Sequence, residues 1–175
     1  MLDPIVDFML RGGLAAILVL AAIHKLRDRT TFMGQLAAYD LLPETLIHGA
    51  SRAIPLIELA AALFLLMRSA HASLTAAAIF FIYGAAMTIN LARGRRDIDC
   101  GCGDPDGKQA LHPALVVRNL VLVVCSLLIS WPVAVRPLGW LDYFIAALAA
   151  AMMLALYTGF NTLMANLAGT QRLKD

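Results

Sequence analysis

The sequence has little charge and few aromatic residues for its length of 175. Asp, Glu, Lys and Arg make up 15% of it and aromatic residues 7%, whereas charged residues make up about 25% of an average soluble domain. Hydrophobic residues reach 61%, and the mean hydropathy is +0.76. One core of this size cannot hide so much apolar surface from water. The composition therefore excludes an ordinary soluble domain and indicates a protein that resides in lipid.

Cysteine is also scarce, and a strongly basic face is lacking. Three cysteines, at positions 100, 102 and 125, are too few for a disulfide-stabilised scaffold. The net charge of +2 does not provide the basic surface that nucleic-acid binding requires, so we expect no nucleic-acid partner. The amino-terminal segment has neither the basic start nor the small-residue cleavage site of a signal peptide. We interpret its apolar stretch as a retained membrane helix.

Long apolar runs are abundant, and they define the predicted fold. A helix needs about 20 mostly apolar residues to cross about 30 Å of hydrocarbon. Runs of this kind cover residues 5–23, 47–67, 72–92, 114–135 and 138–162. The first is the least regular because it contains Asp7 and Arg11. The sequence predicts an all-α, polytopic membrane bundle of four to five transmembrane helices, forming one integral membrane domain over residues 1–175 in contact with membrane lipid.

The connectors between these runs differ in length and polarity. The link between the second and third runs, residues 68–71, is so short that it predicts an antiparallel hairpin. Residues 30–49 are too polar to span, and they predict a short interfacial helix that ends at Leu42 and Pro43. The connector 93–113 is the only long polar one, so we expect any chemistry to occur there.

The distribution of basic residues gives a first prediction of orientation. With five spans, the connectors after the first and third helices lie on the same side as the carboxyl-terminal tail. That side holds most of the lysines and arginines, whereas the opposite side has only Arg68 and Arg136 outside the helices. The positive-inside rule therefore predicts that the connector 93–113 is cytoplasmic.

The long connector contains the run Asp99, Cys100, Gly101 and Cys102. A disulfide between residues two apart needs a tight backbone turn, and Gly101 can adopt the positive φ that such a turn requires. A small strained ring is more oxidising than a structural disulfide, so it can transfer its disulfide to a partner dithiol. Arg93 would stabilise a thiolate here, while Asp99 would destabilise it. We interpret Cys100 and Cys102 as a redox pair.

Two other interpretations of the cysteines stay open. Together with Asp99 and His112 they could bind a metal, but structural zinc sites usually place two to four residues between paired cysteines, and we predict no metal. They could also be two unrelated thiols in a turn. Cys125, which lies within the fourth run, is expected to be a small buried residue or, alternatively, a resolving thiol.

Polar residues within the apolar runs form a second group of candidates. Four of these candidates lie inside runs, and Lys25 follows the first run. The four are Glu58, Asn90, Arg118 and Asn119. Ionisable groups in a bilayer are costly and face the bundle interior or an aqueous cavity. We expect Glu58 to form an ion pair with Lys25 or Arg118. Such a pair would either fix the helix packing or tune the thiolate and relay a proton.

Five segments together carry a family resemblance. They are AAIHKLRD at the end of the first run, AAYDLLP, IPLIELAAAL, INLARGRRDIDCGCG and ALVVRNLVL. In these segments the chain resembles the MauE branch of the DoxX-like, redox-associated membrane proteins. In that family the CGC motif is usually followed by Phe and Gly, whereas Gly103 and Asp104 follow it here.

This resemblance implies a role in methylamine utilisation at the bacterial inner membrane. There the protein would work with MauD, a thioredoxin-like periplasmic partner, in maturation of the disulfide-rich small subunit of methylamine dehydrogenase. Cys100 and Cys102 match the family's redox pair. The bundle is also similar to quinone-coupled disulfide-forming membrane proteins, which implies a quinone cofactor. This role requires a periplasmic connector, and we prefer that orientation to the charge bias because disulfides form in oxidising compartments.

The predicted function is therefore that of an integral inner-membrane thiol–disulfide protein that supports this maturation through its CGC pair. One alternative is a non-catalytic chaperone or scaffold for the same assembly, in which the cysteines only close a loop. The other is a small-molecule transporter, for which Glu58 and Arg118 in a cavity would matter more than the thiols.

Overall fold

The computed structural model describes residues 1–96, 98–100 and 110–172, and the regular secondary structure of this part of the chain is helical, with two isolated β-bridges in the connecting segments. Four of its helices are long and apolar enough to cross a membrane. The prediction of an all-α, polytopic helical membrane protein is confirmed. The helices are α1 (Pro4–Arg27), α2 (Arg29–Tyr39), α3 (Glu44–Leu66), α4 (Ala72–Ala92), α5 (Pro113–Leu128) and α6 (Trp140–Arg172).

Helix α1 is the central element of the bundle. It packs extensively against α3 and α6 and also touches α2 and α5, while α4 packs mainly against α5. Small residues allow α1 and α6 to approach closely: a Cβ atom at Gly13 would lie 2.5 Å from Met153 Sδ, and one at Gly12 would lie 3.4 Å from Ala150 Cβ. Membrane helices use such small residues because van der Waals packing, rather than exclusion of water, holds them together.

A buried carboxylate fastens one end of the bundle. Asp7 near the start of α1 is fully buried and forms ion pairs with Arg11 at 2.9 Å and with Arg68 at 3.0 Å. Arg68 lies in the turn between α3 and α4, where its φ of +55° is in the left-handed region. Helices α3 and α4 form the antiparallel hairpin that the short link predicts. The ion pair between Asp7 and Arg68 connects this hairpin to α1.

Helix α5 is shorter than the predicted span 114–135, since it ends at Leu128. Pro132 explains the early end, because proline donates no backbone hydrogen bond and disfavours helical geometry in the residue before it. The chain beyond the helix is extended: Leu2 N–H donates to Pro132 O, and Ala134 N–H donates to Leu2 O, each at 2.8 Å. The 16 residues of α5 span about 24 Å, less than the hydrocarbon layer of about 30 Å.

Other helix bounds also differ from the predicted spans. Helix α6 starts at Trp140 and continues to Arg172, well beyond the predicted limit at residue 162. Helix α1 continues past residue 23 to Arg27, and α3 begins at Glu44 rather than residue 47. Apolar windows mark the limits of the hydrocarbon layer, whereas a helix continues through polar residues. Basic residues in the last turn of α1 favour this continuation because they interact well with the helix dipole.

Candidate functional site

The two ends of the long polar connector lie side by side. Asp99 and Ala110 form an antiparallel bridge, and Leu111 N–H donates to the carbonyls of Arg96 at 3.0 Å and Ile98 at 3.1 Å. We call these paired ends the neck of the connector: Arg96, Ile98 and Asp99 on one side, and Ala110 and Leu111 on the other. The neck lies at the end of the bundle where α1 and α4 end and α5 begins. The other two members of the cysteine motif, Gly101 and Cys102, lie outside the described residues.

Cys100 is buried where the neck meets the helices. Only 5% of its surface is exposed, and it belongs to a small apolar cluster with Met87, Leu111 and Leu115. The predicted redox motif is therefore anchored in the bundle at Cys100 rather than suspended in solvent. The same cluster joins α4, the neck and α5.

Helix α2 holds this part of the connector in place. Gln35 Nε2 donates to Asp99 Oδ2 at 3.1 Å, and Tyr39 OH donates to Cys100 O at 3.2 Å. Asn90 of α4, which is fully buried, donates to Tyr39 O at 3.2 Å. A short helix does lie between the first two spans, but it ends at Tyr39 rather than at Leu42 and Pro43. Its function in the fold is to position residues 99 and 100.

The start of α2 is fixed by a capping carboxylate. Asp28 accepts a hydrogen bond from Thr31 N–H at 3.0 Å and another from Thr30 OH at 2.9 Å. Such a cap satisfies donors that the first helical turn leaves unpaired. Hydrogen bonds from Thr31 and Thr30 to the ionised carboxylate hold the pKa of Asp28 below its ordinary value.

A buried cluster joins three helices beside this connector. The Lys25 ammonium of α1 binds Glu58 Oε1 of α3 and donates to Tyr83 OH of α4 at 3.1 Å. Tyr83 OH in turn donates to Glu58 Oε1 at 2.6 Å. The ammonium also lies 4.6 Å from the ring centroid of Tyr83 and 5.5 Å from that of Phe32. Of the two partners expected for Glu58, the structure selects Lys25.

A cavity of about 230 Å³ connects the cluster to the cysteine. Its lining is largely apolar, and the polar side chains that reach it come from separate elements of the fold. Lys25 and Tyr83 lie at one part of the wall, Gln35 and Tyr39 of α2 contribute another, and Cys100 completes it. The arrangement places a buried cation, hydroxyl groups and a cysteine around one space.

Arg118 does not join this cluster, which corrects the second pairing considered for Glu58. Its Nη1 donates to Asn161 Oδ1 of α6, and its guanidinium group lies 5.0 Å from the ring centroid of Tyr157. Arg118 thus contacts α6 rather than α3, although α5 packs mainly against α4. Its described contacts therefore link α5 to α6.

The remaining two supporting candidates have packing contacts. Asn119 is buried, donates to Leu115 O at 2.9 Å, and has its Nδ2 3.6 Å from Met87 Sδ. Arg93 is exposed, and its Nη1 donates to the carbonyl of Asp40 at 3.3 Å, just beyond α2. Asn119 thus supports the packing of α4 on α5, and Arg93 braces the end of α2.

Sequence reasoning missed the tyrosines and the glutamine of the site. Tyr83, Met87 and Asn90 are spaced by four and three residues, which places them on one face of α4. That spacing was a usable signal for Tyr83, because a tyrosine within an apolar run needs a partner for its hydroxyl group. The roles of Gln35 and Tyr39 had no comparable signal, since both contact a connector far away in sequence.

The family model described as "Methylamine utilisation protein MauE" matches residues 3–132. The chain belongs to the MauE family. The segment matched to MauE includes the cysteine motif and every residue of the cavity lining. The family's description associates it with methylamine utilisation.

Three MauE relatives illustrate the similarity. The "Methylamine utilization protein MauE" of Methylophilus methylotrophus is 35% identical over 158 residues, which cover 88% of this chain and 83% of the relative. That of Paracoccus denitrificans is 36% identical over 132 residues, covering 74% and 71%. That of Methylorubrum extorquens is 34% identical over 164 residues, covering 92% and 88%. No solved structure matches the chain significantly.

Proposed function

We propose that this MauE-family protein is an inner-membrane thiol–disulfide protein that serves maturation of the methylamine dehydrogenase small subunit. It acts with a thioredoxin-like periplasmic partner, MauD, through Cys100 and Cys102. The observation that carries the proposal is the placement of Cys100. The cysteine is anchored by α2 at the wall of a cavity that also contains a buried Lys25. A loop that merely closed on itself would not need this anchoring.

The proposed reaction is the transfer of a disulfide to the partner. A thiolate of the reduced partner attacks one sulfur of the Cys100–Cys102 disulfide, so that this S–S bond breaks and a mixed disulfide forms. The second partner thiolate then attacks the mixed disulfide. The partner leaves oxidised, and Cys100 and Cys102 become two thiols, having gained two electrons and two protons.

The proposal places the cysteine end of the bundle in the periplasm, against the charge bias. Several basic residues at this end have partners within the protein. Lys25 binds Glu58, Arg93 donates to the carbonyl of Asp40, and Arg95 lies 3.6 Å from the Asp40 carboxylate. Because these basic residues have partners within the folded protein, their presence at this end is weak evidence for a cytoplasmic orientation. Disulfide chemistry favours the oxidising side.

Alkylation in intact cells tests both the chemistry and the orientation. The protein carries Cys125→Ser, so that only the two motif cysteines can react with a membrane-impermeant maleimide. We expect labelling only after the cells are treated with a reductant, because the disulfide faces the periplasm. A Cys100→Ser/Cys102→Ser version is the matched control and should stay unlabelled. Labelling that requires permeabilised cells would place the pair in the cytoplasm and contradict the proposal.

The redox state of the partner separates this function from a scaffold. We expect the partner to accumulate in the reduced form when the Cys100→Ser/Cys102→Ser protein replaces the original at equal abundance. A scaffold would keep the partner oxidised. The transporter alternative gains no support from the structure, because it requires Glu58 and Arg118 in one cavity, whereas Glu58 binds Lys25 and Arg118 binds Asn161.

A further inference from the structure

The outward face of α3 carries two basic residues within a membrane span. His48 and Arg52 are exposed and lie four residues apart, so they share one face of the helix. Leu56, the next residue on that face, is 59% exposed. Helix α3 is long and apolar enough to cross a membrane, and Arg52 lies about 12 Å along its axis from Glu44. This face therefore turns toward lipid, with its basic residues at the end of the bundle that holds Cys100.

A third basic residue joins this face from α2. Arg29 Nε donates to Ser51 Oγ at 3.2 Å, and Arg29 Nη2 lies 3.3 Å from His48 Nε2. No ion pair among the described residues involves Arg29 or Arg52. Asp28, the acidic residue next to Arg29, caps α2 instead. We call Arg29, His48 and Arg52 the basic cluster, and its two guanidinium groups carry positive charge that no carboxylate of the described residues neutralises.

Arg52 requires an anionic neighbour at this depth. A charged side chain within a bilayer is costly, and a long one extends its charged end toward the headgroup layer. The anions available in that layer are lipid phosphates. A guanidinium group matches a phosphate with two parallel hydrogen bonds, and the described contacts of Arg29 leave further N–H groups for such an acceptor. The basic cluster therefore favours a headgroup with net negative charge.

The apolar cavity beside Cys100 begins close to the basic cluster. Arg29 and Ser51 contact each other between α2 and α3. Phe32 follows Arg29 by about one helical turn, and Ile54 follows Ser51 by about one turn. Both Phe32 and Ile54 line the cavity. The cavity wall thus lies within about a helical turn of the guanidinium group on each helix.

The lining and the position of the cavity suit a hydrocarbon chain. Its wall is almost wholly apolar, and Leu42 and Ile82 in that wall are 37% and 60% exposed. Ile82 lies about 15 Å along the axis of α4 from Ala92, which is the depth of the hydrocarbon layer. The volume of about 230 Å³ is below the roughly 300–1,000 Å³ of pockets that enclose whole drug-sized molecules. The cavity therefore accommodates part of an acyl chain, which needs no polar partner.

We infer that the basic cluster and the cavity together bind one anionic phospholipid. Its phosphate accepts hydrogen bonds from Arg29 and Arg52, and one acyl chain enters the cavity between Ile54 of α3 and Ile82 of α4. The lipid fills the space among α2, α3 and α4 and completes the packing beside Cys100. This site requires neither the thiol chemistry nor a particular orientation of the protein.

Binding of a defined lipid tests the headgroup contacts. The full-length protein, purified in detergent and stripped of lipid, is titrated with dioleoyl-phosphatidylglycerol, and bound lipid is measured by native mass spectrometry. We expect saturable binding that Arg29→Gln/Arg52→Gln weakens about tenfold or more, a change of about 1.4 kcal/mol. Dioleoyl-phosphatidylcholine should bind the parent protein more weakly than phosphatidylglycerol. Arg95→Gln/Arg96→Gln is the matched control, because it removes as many charges at the same end of the bundle but outside the basic cluster, and its affinity should equal that of the parent.

A second variant tests the place of the acyl chain. Ile82→Trp fills the cavity with a larger side chain, and we expect it to weaken phosphatidylglycerol binding about tenfold. Phe81→Trp is its matched control, since Phe81 is 64% exposed but does not line the cavity. The affinity of this control should equal that of the parent.

Each contrary outcome overturns the inference. Equal affinity for the two lipids, or unchanged affinity in Arg29→Gln/Arg52→Gln, would remove the headgroup site. Unchanged affinity in Ile82→Trp would place the acyl chain outside the cavity. Displacement of the lipid by an equal concentration of inorganic phosphate would show a site for soluble anions. Unchanged lipid binding together with weaker co-purification of the thioredoxin-like partner would assign the arginines to a protein-binding surface.

Discussion

Individual residues hold the site together through a few buried polar contacts. Lys25 and Glu58 are 5% and 0% exposed, and their mutual attraction offsets the cost of removing both charges from water. Glu58 Oε2 is buried and has no hydrogen-bond donor among the described residues. The carboxylate therefore depends on Lys25 and Tyr83, which both contact its other oxygen.

Removal of one member of this pair should destabilise the protein strongly. Lys25→Met leaves the Glu58 carboxylate buried without its cation, and we expect a loss of about 3–5 kcal/mol in the free energy of unfolding. Lys25→Met combined with Glu58→Leu should recover most of that loss. Unfolding by SDS in mixed micelles provides the measurement. Arg93→Met is the control at an exposed position, and a loss of similar size there would show that the effect does not come from the buried pair.

Sequence reasoning found the two charged members of this cluster, Lys25 and Glu58. Glu58 was identifiable because an ionisable group within an apolar run is costly and requires a partner. The choice between Lys25 and Arg118 depends on which helix faces α3, and the sequence of neither segment contains that information. Tyr83 was overlooked because a single tyrosine in an apolar helix also suits ordinary packing.

At the scale of elements, two glycines set the separation of α1 from α6. A side chain at Gly13 would meet Met153, whose Sδ, Cγ and Cβ atoms all lie within 3.4 Å of the position of its Cβ. We expect Gly13→Leu to force the two helices apart and to lower the free energy of unfolding by about 1–3 kcal/mol.

The same SDS assay measures this effect, with a glycine in open surroundings as its control. Gly49 of α3 has no atom within 4 Å of the position of a Cβ, so Gly49→Leu should change the stability little. Equal losses in the two variants would mean that leucine disturbs any helix in this bundle, and that the contact with Met153 is unimportant.

Helix α2 depends on its cap at Asp28. Asp28→Ala removes the acceptor for Thr31 and Thr30, so amide hydrogen exchange over residues 29–39 should accelerate, whereas Asp28→Asn should stay close to the parent because asparagine also caps well. The folded-state pKa of Asp28 is lowered from 3.8. Its stabilising contribution is therefore complete above that value and is lost as the pH falls through the lower folded-state pKa. Fast exchange in Asp28→Asn at neutral pH would contradict a capping role.

Apolar length predicted which segments form helices better than it predicted where they end. Windows of hydropathy located all four long helices, and α4 matches its predicted span at residues 72–92. The predicted fourth span was wrong beyond Leu128, because Val133 and Val135 are apolar but follow the helix-ending Pro132. Apolar character alone does not distinguish a helix from an extended segment that pairs with Leu2.

On the scale of the whole molecule, five helices alternate in direction. The start of α1 meets the turn after α3 through Asp7 and Arg68, and the start of α6 meets the start of α1 through the rings of Tyr143 and Phe8, 5.4 Å apart. Residue 1 thus lies at the end of the bundle opposite Cys100. Helix α6 ends on the same side as Cys100.

This arrangement predicts that fusions at residues 1 and 175 lie on opposite sides of the membrane. With the proposed orientation, alkaline phosphatase fused after residue 175 should be active, and the same enzyme fused before residue 1 should be inactive. A fluorescent protein that folds only in the cytoplasm should give the reverse pattern at the two positions. Activity of the same reporter at both ends would show that α5 does not cross the bilayer.

The short helix α5 also affects the lipid around the protein. Its outward face carries Val117, Leu120, Val121 and Val124, which are exposed to the surroundings, yet the helix is about 6 Å shorter than a typical hydrocarbon layer. A bilayer responds to such hydrophobic mismatch by thinning beside the short element. The membrane next to α5 is therefore expected to be compressed, and the protein should partition into domains of short-chain lipid in preference to thicker ones.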